Sequence, residues 1–161
     1  MNSMNYKITI QTACPDKLPV NGKIIKNWVK LTLEEHIKRS ELTVRLVTMD
    51  EITNLNRTYR GQNKPTNVLA FPSHLPNGVV LNYPLLGDVV ICPAILEQEA
   101  TAQYKPLTDH WAHIVIHGVL HLLGFDHIER HDEERMQATE IELLTKLKIT
   151  NPYQDEDNEL E

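Results

Sequence analysis

Cysteine is scarce in this chain. Only Cys14 and Cys92 occur among 161 residues, too few for a disulfide framework or a cysteine-based zinc knuckle. An excess of basic charge is missing too. Sixteen Lys and Arg against 22 Asp and Glu leave a formal net charge of -6, which argues against a broad basic nucleic-acid surface but not against a local basic cleft. No apolar run approaches membrane-spanning length, and Met1 to Tyr6 holds no apolar signal core. These absences point to a soluble protein of the reducing cytoplasm, with no membrane partner. What remains is ordinary for a globular chain, 41% hydrophobic and 24% charged. The length suits one domain with a real core. No internal repeat and no second domain is visible. Residues 1–150 are expected to form the domain, and 151–161 an acidic, flexible tail.

What the chain does have is histidine at a helical spacing. His117 and His121 are four residues apart, hence on one face of a helix. On a wheel centred on His117, the residues His110, His113, His121 and Gly124 fall within about 40° of it. The rest of the stretch is nearly all apolar, from Trp111, Ala112 and Ile114 to Leu122 and Leu123. A helix apolar almost all round is buried, and this one keeps a single polar seam filled by histidine. Gly124 suits the position past the helix end, where a left-handed backbone costs glycine nothing. The chain can then turn and bring His127 back toward the first two. Core histidines bonded locally would be the bland account of one such residue. Three on one seam, with a helix stop before the third, fit an open metal site whose remaining position holds water.

The rest of the chain alternates strand and helix. Tyr6, Ile8 and Ile10 alternate with polar residues as in a strand. A helix is expected from about Lys23 to Lys38, with Asn21 as its cap. Leu42, Val44 and Leu46 form a second strand. Thr48, three residues before Glu51, makes a capping box for a helix with Ile52, Leu55 and Tyr59 inward and Gly61 at its end. Val68 to Phe71 is a strand stopped by Pro72, and residues 73–84 a loop. Leu85 to Cys92 is a buried strand broken by Gly87-Asp88. Pro93 suits a helix's first turn, continuing to about Gln103. The histidine helix runs from about Leu107 to Leu123. A last helix spans Glu129 to Lys148, acids early and lysines late, as the helix dipole favours.

Three neutral imidazoles favour a borderline metal, zinc first, with nickel, cobalt or copper possible in vitro. They add no negative charge, so the ion keeps its full double charge and can bring the pKa of bound water toward roughly 7. The zinc-peptidase helix His-Glu-x-x-His places its general base beside the first ligand. Here that position is Gly118, and the peptidase account loses its base. Asp126, next to His127, could orient a ligand from behind or simply cap the following turn. A hydrolase of peptides or small molecules would need a carboxylate base near the ion, with Asp126 or Asp88 as the candidates.

Positive charge gathers in one place. Arg57 and Arg60 fall near a helix end and Lys64 follows. Arginine's planar fork matches phosphate oxygens, although a solvated surface loop is the commoner outcome for such a stretch.

With those residues laid out, the chain resembles the bacterial YbeY family of single-domain endoribonucleases. The likeness rests on His117-Gly-Val-Leu-His121-Leu-Leu-Gly-Phe-Asp-His127, on Leu55 to Pro72, and on Gly87 to Cys92, spanning in order about Leu42 to Met136. It implies an α+β fold, a small mixed sheet of about four strands packed around a central buried histidine helix with flanking helices. It implies a metal-dependent endoribonuclease selective for single strands, acting in ribosomal RNA maturation, including the small-subunit 3′ end, and in ribosome quality control. His117, His121 and His127 would hold one zinc ion per chain, and Arg60 would bind or stabilise the phosphate, with Arg57 and Lys64 alongside. Ribosomal RNA, the small subunit and an Era-type GTPase are the implied partners. Gln62, Asn63 and Ala70 depart from the usual Lys or Asp and Ser of the family, which bears on substrate rather than on the metal. A ribosome-assembly factor with a structural metal, recognisable by four protein ligands and no open position, is the alternative.

Overall fold

The computed structural model describes residues 5–73, 85–125 and 130–153. The elements follow as β1 (Asn5–Ala13), α1 (Gly22–Leu33), β2 (Arg39–Val47), α2 (Met49–Arg60), β3 (Val68–Pro72), β4 (Leu85–Ile91), α3 (Pro93–Ala102), α4 (Leu107–Leu122) and α5 (Arg130–Lys146). The sheet order is β1-β2-β4-β3; β1, β2 and β4 are parallel and β3 runs antiparallel to β4. The described residues thus form one α+β domain with a mixed four-stranded sheet and five helices, as the resemblance implied. Two parallel strands cannot be joined by a tight turn, and α1 supplies the crossover between β1 and β2.

Side-chain alternation gives the sheet two faces. Leu42, Val44 and Leu46 of β2 and Val89 and Ile91 of β4 join the main core with α1 and α4. Val47, Leu69, Val90 and Cys92 point the other way and form a smaller core with Ile52 of α2. The end of β4 is therefore buried on both faces, which is why it reads as a continuous apolar run. Gly87, at φ 135, lies where the β2 ladder skips a residue between Glu41 and Leu42. A Cβ there would sit 2.1 Å from the Phe71 carbonyl oxygen, so only glycine fits the bulge.

The helix ends follow local chemistry. Asn21 caps α1 by accepting from the Ile24 N–H at 3.0 Å, and Thr48 caps α2 by accepting from Glu51 N–H at 3.2 Å. Only half of the expected capping box forms, because the Glu51 carboxylate instead takes Arg45 at 2.7 and 3.2 Å. Helix α1 stops at Leu33, five residues short of the expected Lys38. The strand pairing of Asn5 with Arg39 begins there, and the Ile37 carbonyl turns to accept from the Tyr6 hydroxyl at 2.7 Å. The expected loop falls outside the described residues from 74 to 84.

Helix α4 is the centre of the main core: it touches β3, β4, α1, α3 and α5. Trp111, Ala112, Val115, Ile116, Val119 and Leu120 have no exposed surface. Gly118 brings it close to the sheet. A Cβ there would meet Val89 Cγ1 at 2.6 Å and Val68 Cγ2 at 3.2 Å. The position that carries a glutamate in zinc peptidases has no room for a side chain here unless the sheet gives way. The helix ends as its sequence suggests, with Gly124 at φ 101, its N–H on the His121 carbonyl, and the Phe125 N–H on the Leu120 carbonyl. That pair of bonds is a Schellman motif.

Candidate metal centre

The histidine seam exists as the wheel requires. The rings of His110, His113, His117 and His121 follow one another along α4 with centroid separations of 6.2, 6.2 and 4.7 Å. The shortest step is the informative one: His117 Nε2 and His121 Nε2 lie 3.2 Å apart. Two nitrogens bound at about 2.05 Å to a tetrahedral ion would be separated by about 3.3 Å, so the pair has the spacing of one edge of such a site. His127 and Asp126 lie outside the described residues.

Behind His117 stands a residue the sequence reading missed. Glu140 of α5 has no exposed surface, yet its carboxylate is fully engaged. His117 Nδ1 is 2.8 Å from Oε1, His113 Nε2 is 2.6 Å from Oε2, and the Tyr153 hydroxyl donates to Oε2 at 2.6 Å. Burial alone would push this carboxyl up. The hydrogen bonds from His113 and His117 outweigh it and hold the pKa at about 2, so the group is an anion at neutral pH. An ionised carboxylate accepts only, which assigns the Nδ1 proton of His117 to it and leaves the Nε2 lone pair turned toward His121. Metal-ligating histidines are commonly anchored in this way.

One nitrogen each from His113 and His117 and an oxygen of Glu140 also lie within 4.8 Å of one another, close enough to hold an ion. Both of those imidazoles, however, already meet Glu140 at hydrogen-bond distance. In the structure as it stands, one nitrogen of each imidazole is thus spent on the carboxylate. Glu140 had a signal in the sequence. Met136, Glu140, Leu143 and Leu144 share the inward stripe of α5, and three of the four are buried apolar residues; a charge on such a stripe needs a partner. Tyr153, assigned by composition to the tail, is half-buried against this same carboxylate; residues 154–161 lie outside the described residues.

The basic residues are arranged differently. Helix α2 packs on the sheet face opposite α4, and its last turn carries Arg57 and Arg60. Arg57 is tied down, donating to Asn54 Oδ1 at 2.6 Å and Asn63 Oδ1 at 3.4 Å. Arg60 and Lys64 are exposed. The backbone then runs around the β3 edge to Asn67, whose side-chain amide meets the Glu99 carboxylate of α3. Asp88 is exposed on the α2 face, beside Tyr59 and Phe71 in a groove of about 520 Å³, so the sheet stands between it and the histidines. Cys14 and Cys92 form no disulfide. No helix among the described residues is long and apolar enough to cross a membrane.

Comparison with known proteins matches residues 11–148 to the family model described as Endoribonuclease YbeY. Proteins named Endoribonuclease YbeY from the Corby and Paris strains of Legionella pneumophila are each 52% identical to this chain over 158 residues, covering 98% of it and all of theirs. The solution structure of a Thermotoga maritima protein superposes with a TM-score of 0.56 at 28% identity, covering 91% of this chain and 95% of that one.

Proposed function

The chain belongs to the endoribonuclease YbeY family, and from that premise we propose that it is a nuclease that cleaves single-stranded RNA at a metal ion held by His117, His121 and His127. The observation that carries the reading is the 3.2 Å approach of the two Nε2 atoms, with the opposite nitrogen of His117 fastened to an ionised Glu140. Three imidazoles select a borderline cation, so zinc, one ion per chain, is the first choice. When bound, such an ion supplies a Lewis acid for the phosphoryl oxygen and an acidified water.

The protein's own groups do the remaining work. Glu140 fixes the tautomer and tilt of His117, so the ligand nitrogen is aimed before any ion arrives. Arg60 and Lys64 offer charge to the phosphates of the strand, and Arg60 stabilises the extra negative charge of the transition state. Arg57, held by Asn54 and Asn63, stiffens the helix end behind them and adds to its potential. Gly118 leaves no carboxylate beside His117, which supports phosphodiester over peptide chemistry. Within this reading the substrate is ribosomal RNA, including the 3′ end of the small-subunit RNA, and the protein acts in the cytoplasm in ribosome maturation and quality control, with the small subunit and an Era-type GTPase as partners. The domain spans 1–150, with the Tyr153 hydroxyl held on the Glu140 carboxylate.

The test is chelation followed by reloading. Activity on a single-stranded RNA oligonucleotide should vanish with the metal and return with zinc. An Arg60→Ala variant should keep the metal and lose about tenfold to a hundredfold in turnover. Activity that survives complete metal removal, or a full rate in Arg60→Ala, would each overturn its part of the proposal.

A further inference from the structure

The segment 61–67 is where the basic cluster ends and the chain crosses from the α2 face to the α4 face. It is held at two points. Near its middle, the buried Asn56 side chain donates to the Lys64 carbonyl at 2.9 Å. At its end, Asn67 Nδ2 sits 3.2 and 3.3 Å from the two oxygens of Glu99, and the Asn67 carbonyl accepts from Cys92 N–H at 3.0 Å. Glu99 in turn lies 2.9 Å from Nε2 of His110, a residue only 4% exposed on the histidine seam. A continuous polar chain therefore runs from the basic segment through Asn67 and Glu99 to α4, the helix that carries His117 and His121.

We infer that Glu99 and Asn67 are positioning residues: they clamp segment 61–67 to the histidine helix and so set Arg60 and Lys64 for the RNA phosphates. This rests on the endoribonuclease reading above. The chemistry favours a clamp over an incidental contact. A carboxylate facing an amide and an imidazole makes charge-assisted bonds, stronger than neutral ones. His110 is too deeply buried to rotate away, so its bond to Glu99 passes the position of α4 directly to the segment. Displacing a charge that touches substrate by about an ångström can cost up to about a hundredfold in rate, so a fixed anchor matters here more than in an ordinary loop.

Asn67→Ala removes the amide and leaves every proposed metal ligand in place. Three measurements on the zinc-loaded protein test the clamp. Amide hydrogen exchange should quicken across residues 62–67 and stay unchanged in α4. Because Arg60 acts in the transition state and Lys64 in binding, kcat for single-stranded RNA should fall up to about tenfold and KM should rise about tenfold, with metal content unaltered. In an Arg60→Ala, Lys64→Ala background, adding Asn67→Ala should change KM no further, because the residues it positions are gone. Glu99→Gln, which keeps one acceptor for Asn67, should restore part of the affinity that Glu99→Ala loses. Unchanged exchange, an unchanged KM, or effects that multiply in the combined variant would each overturn the clamp. A wild-type KM in Arg60→Ala, Lys64→Ala itself would instead sink the role given to those basic residues, and with it the target of the clamp.

Discussion

The two halves of the α4 seam carry the same residue type on the same face and are set up for different work. In the N-terminal half, His110 and His113 each turn Nε2 toward a carboxylate, Glu99 and Glu140. In the C-terminal half, His117 and His121 turn Nε2 toward each other. His117 is the hinge between the two, with one nitrogen on Glu140 and the other on His121. The difference does not lie in α4 itself. It lies in which neighbouring helix reaches the seam: α3 and α5 bring acids to the first half, and the helix ends at Gly124 just beyond the second. Which nitrogen a carboxylate occupies decides which one keeps its lone pair for another partner.

Breaking the C-terminal pair should have the largest effect. His117→Ala is expected to abolish stoichiometric metal and RNA cleavage together, measured by elemental analysis and oligonucleotide turnover. His110→Ala, in the other half, should retain one ion per chain. Equal metal loss in both variants would erase the distinction.

The shared anchor comes next. Glu140→Gln keeps the shape but removes the charge, and should weaken metal affinity about tenfold to a hundredfold, as other buried partners of ligand histidines do. Competition with a chromophoric chelator reads this directly; unchanged affinity would return Glu140 to a purely structural part.

The same anchor should also show in acid. The Glu140 carboxyl lies at about 2 when folded and near 4.5 when unfolded. Its stabilisation is therefore fully present above about pH 4.5 and is lost as pH falls through about 2. The shift corresponds to about 3 kcal/mol at full ionisation, which urea titrations of metal-stripped protein between pH 5 and 2 should show and Glu140→Gln should lack. Glu99 is also held below its ordinary range: burial pushes it up, and hydrogen bonds from His110 and Asn67 outweigh that. Its side chain is 30% exposed, so the corresponding acid loss in Glu99→Gln should be smaller still.

Short-range chemistry was the legible part of this chain. The single seam of α4, its stop at Gly124, the caps at Asn21 and Thr48 and the left-handed Gly61 at the end of α2 all depend on residues within a turn or two. What stayed hidden depends on distance in sequence. Glu140 meets His117 from 23 residues away, and Asn67 meets Glu99 from 32; no local period announces such a pairing, although an acid on the inward stripe of α5 is a visible anomaly. The early end of α1 was hidden for the same reason, since the pairing of β2 with β1 overrides a helical apolar pattern that runs on to Ile37. Asp88, one of two candidate bases for a hydrolase of peptides or small molecules, lies on the α2 face, because alternation along β4 turns that side chain away from α4.

The most direct test is the crystal structure of the zinc-loaded protein with anomalous scattering at the zinc edge. The account requires an ion about 2.1 Å from Nε2 of both His117 and His121, with Glu140 still bound to Nδ1 of His117 and outside the coordination shell. An ion ligated by His113 or by the Glu140 carboxylate would contradict it.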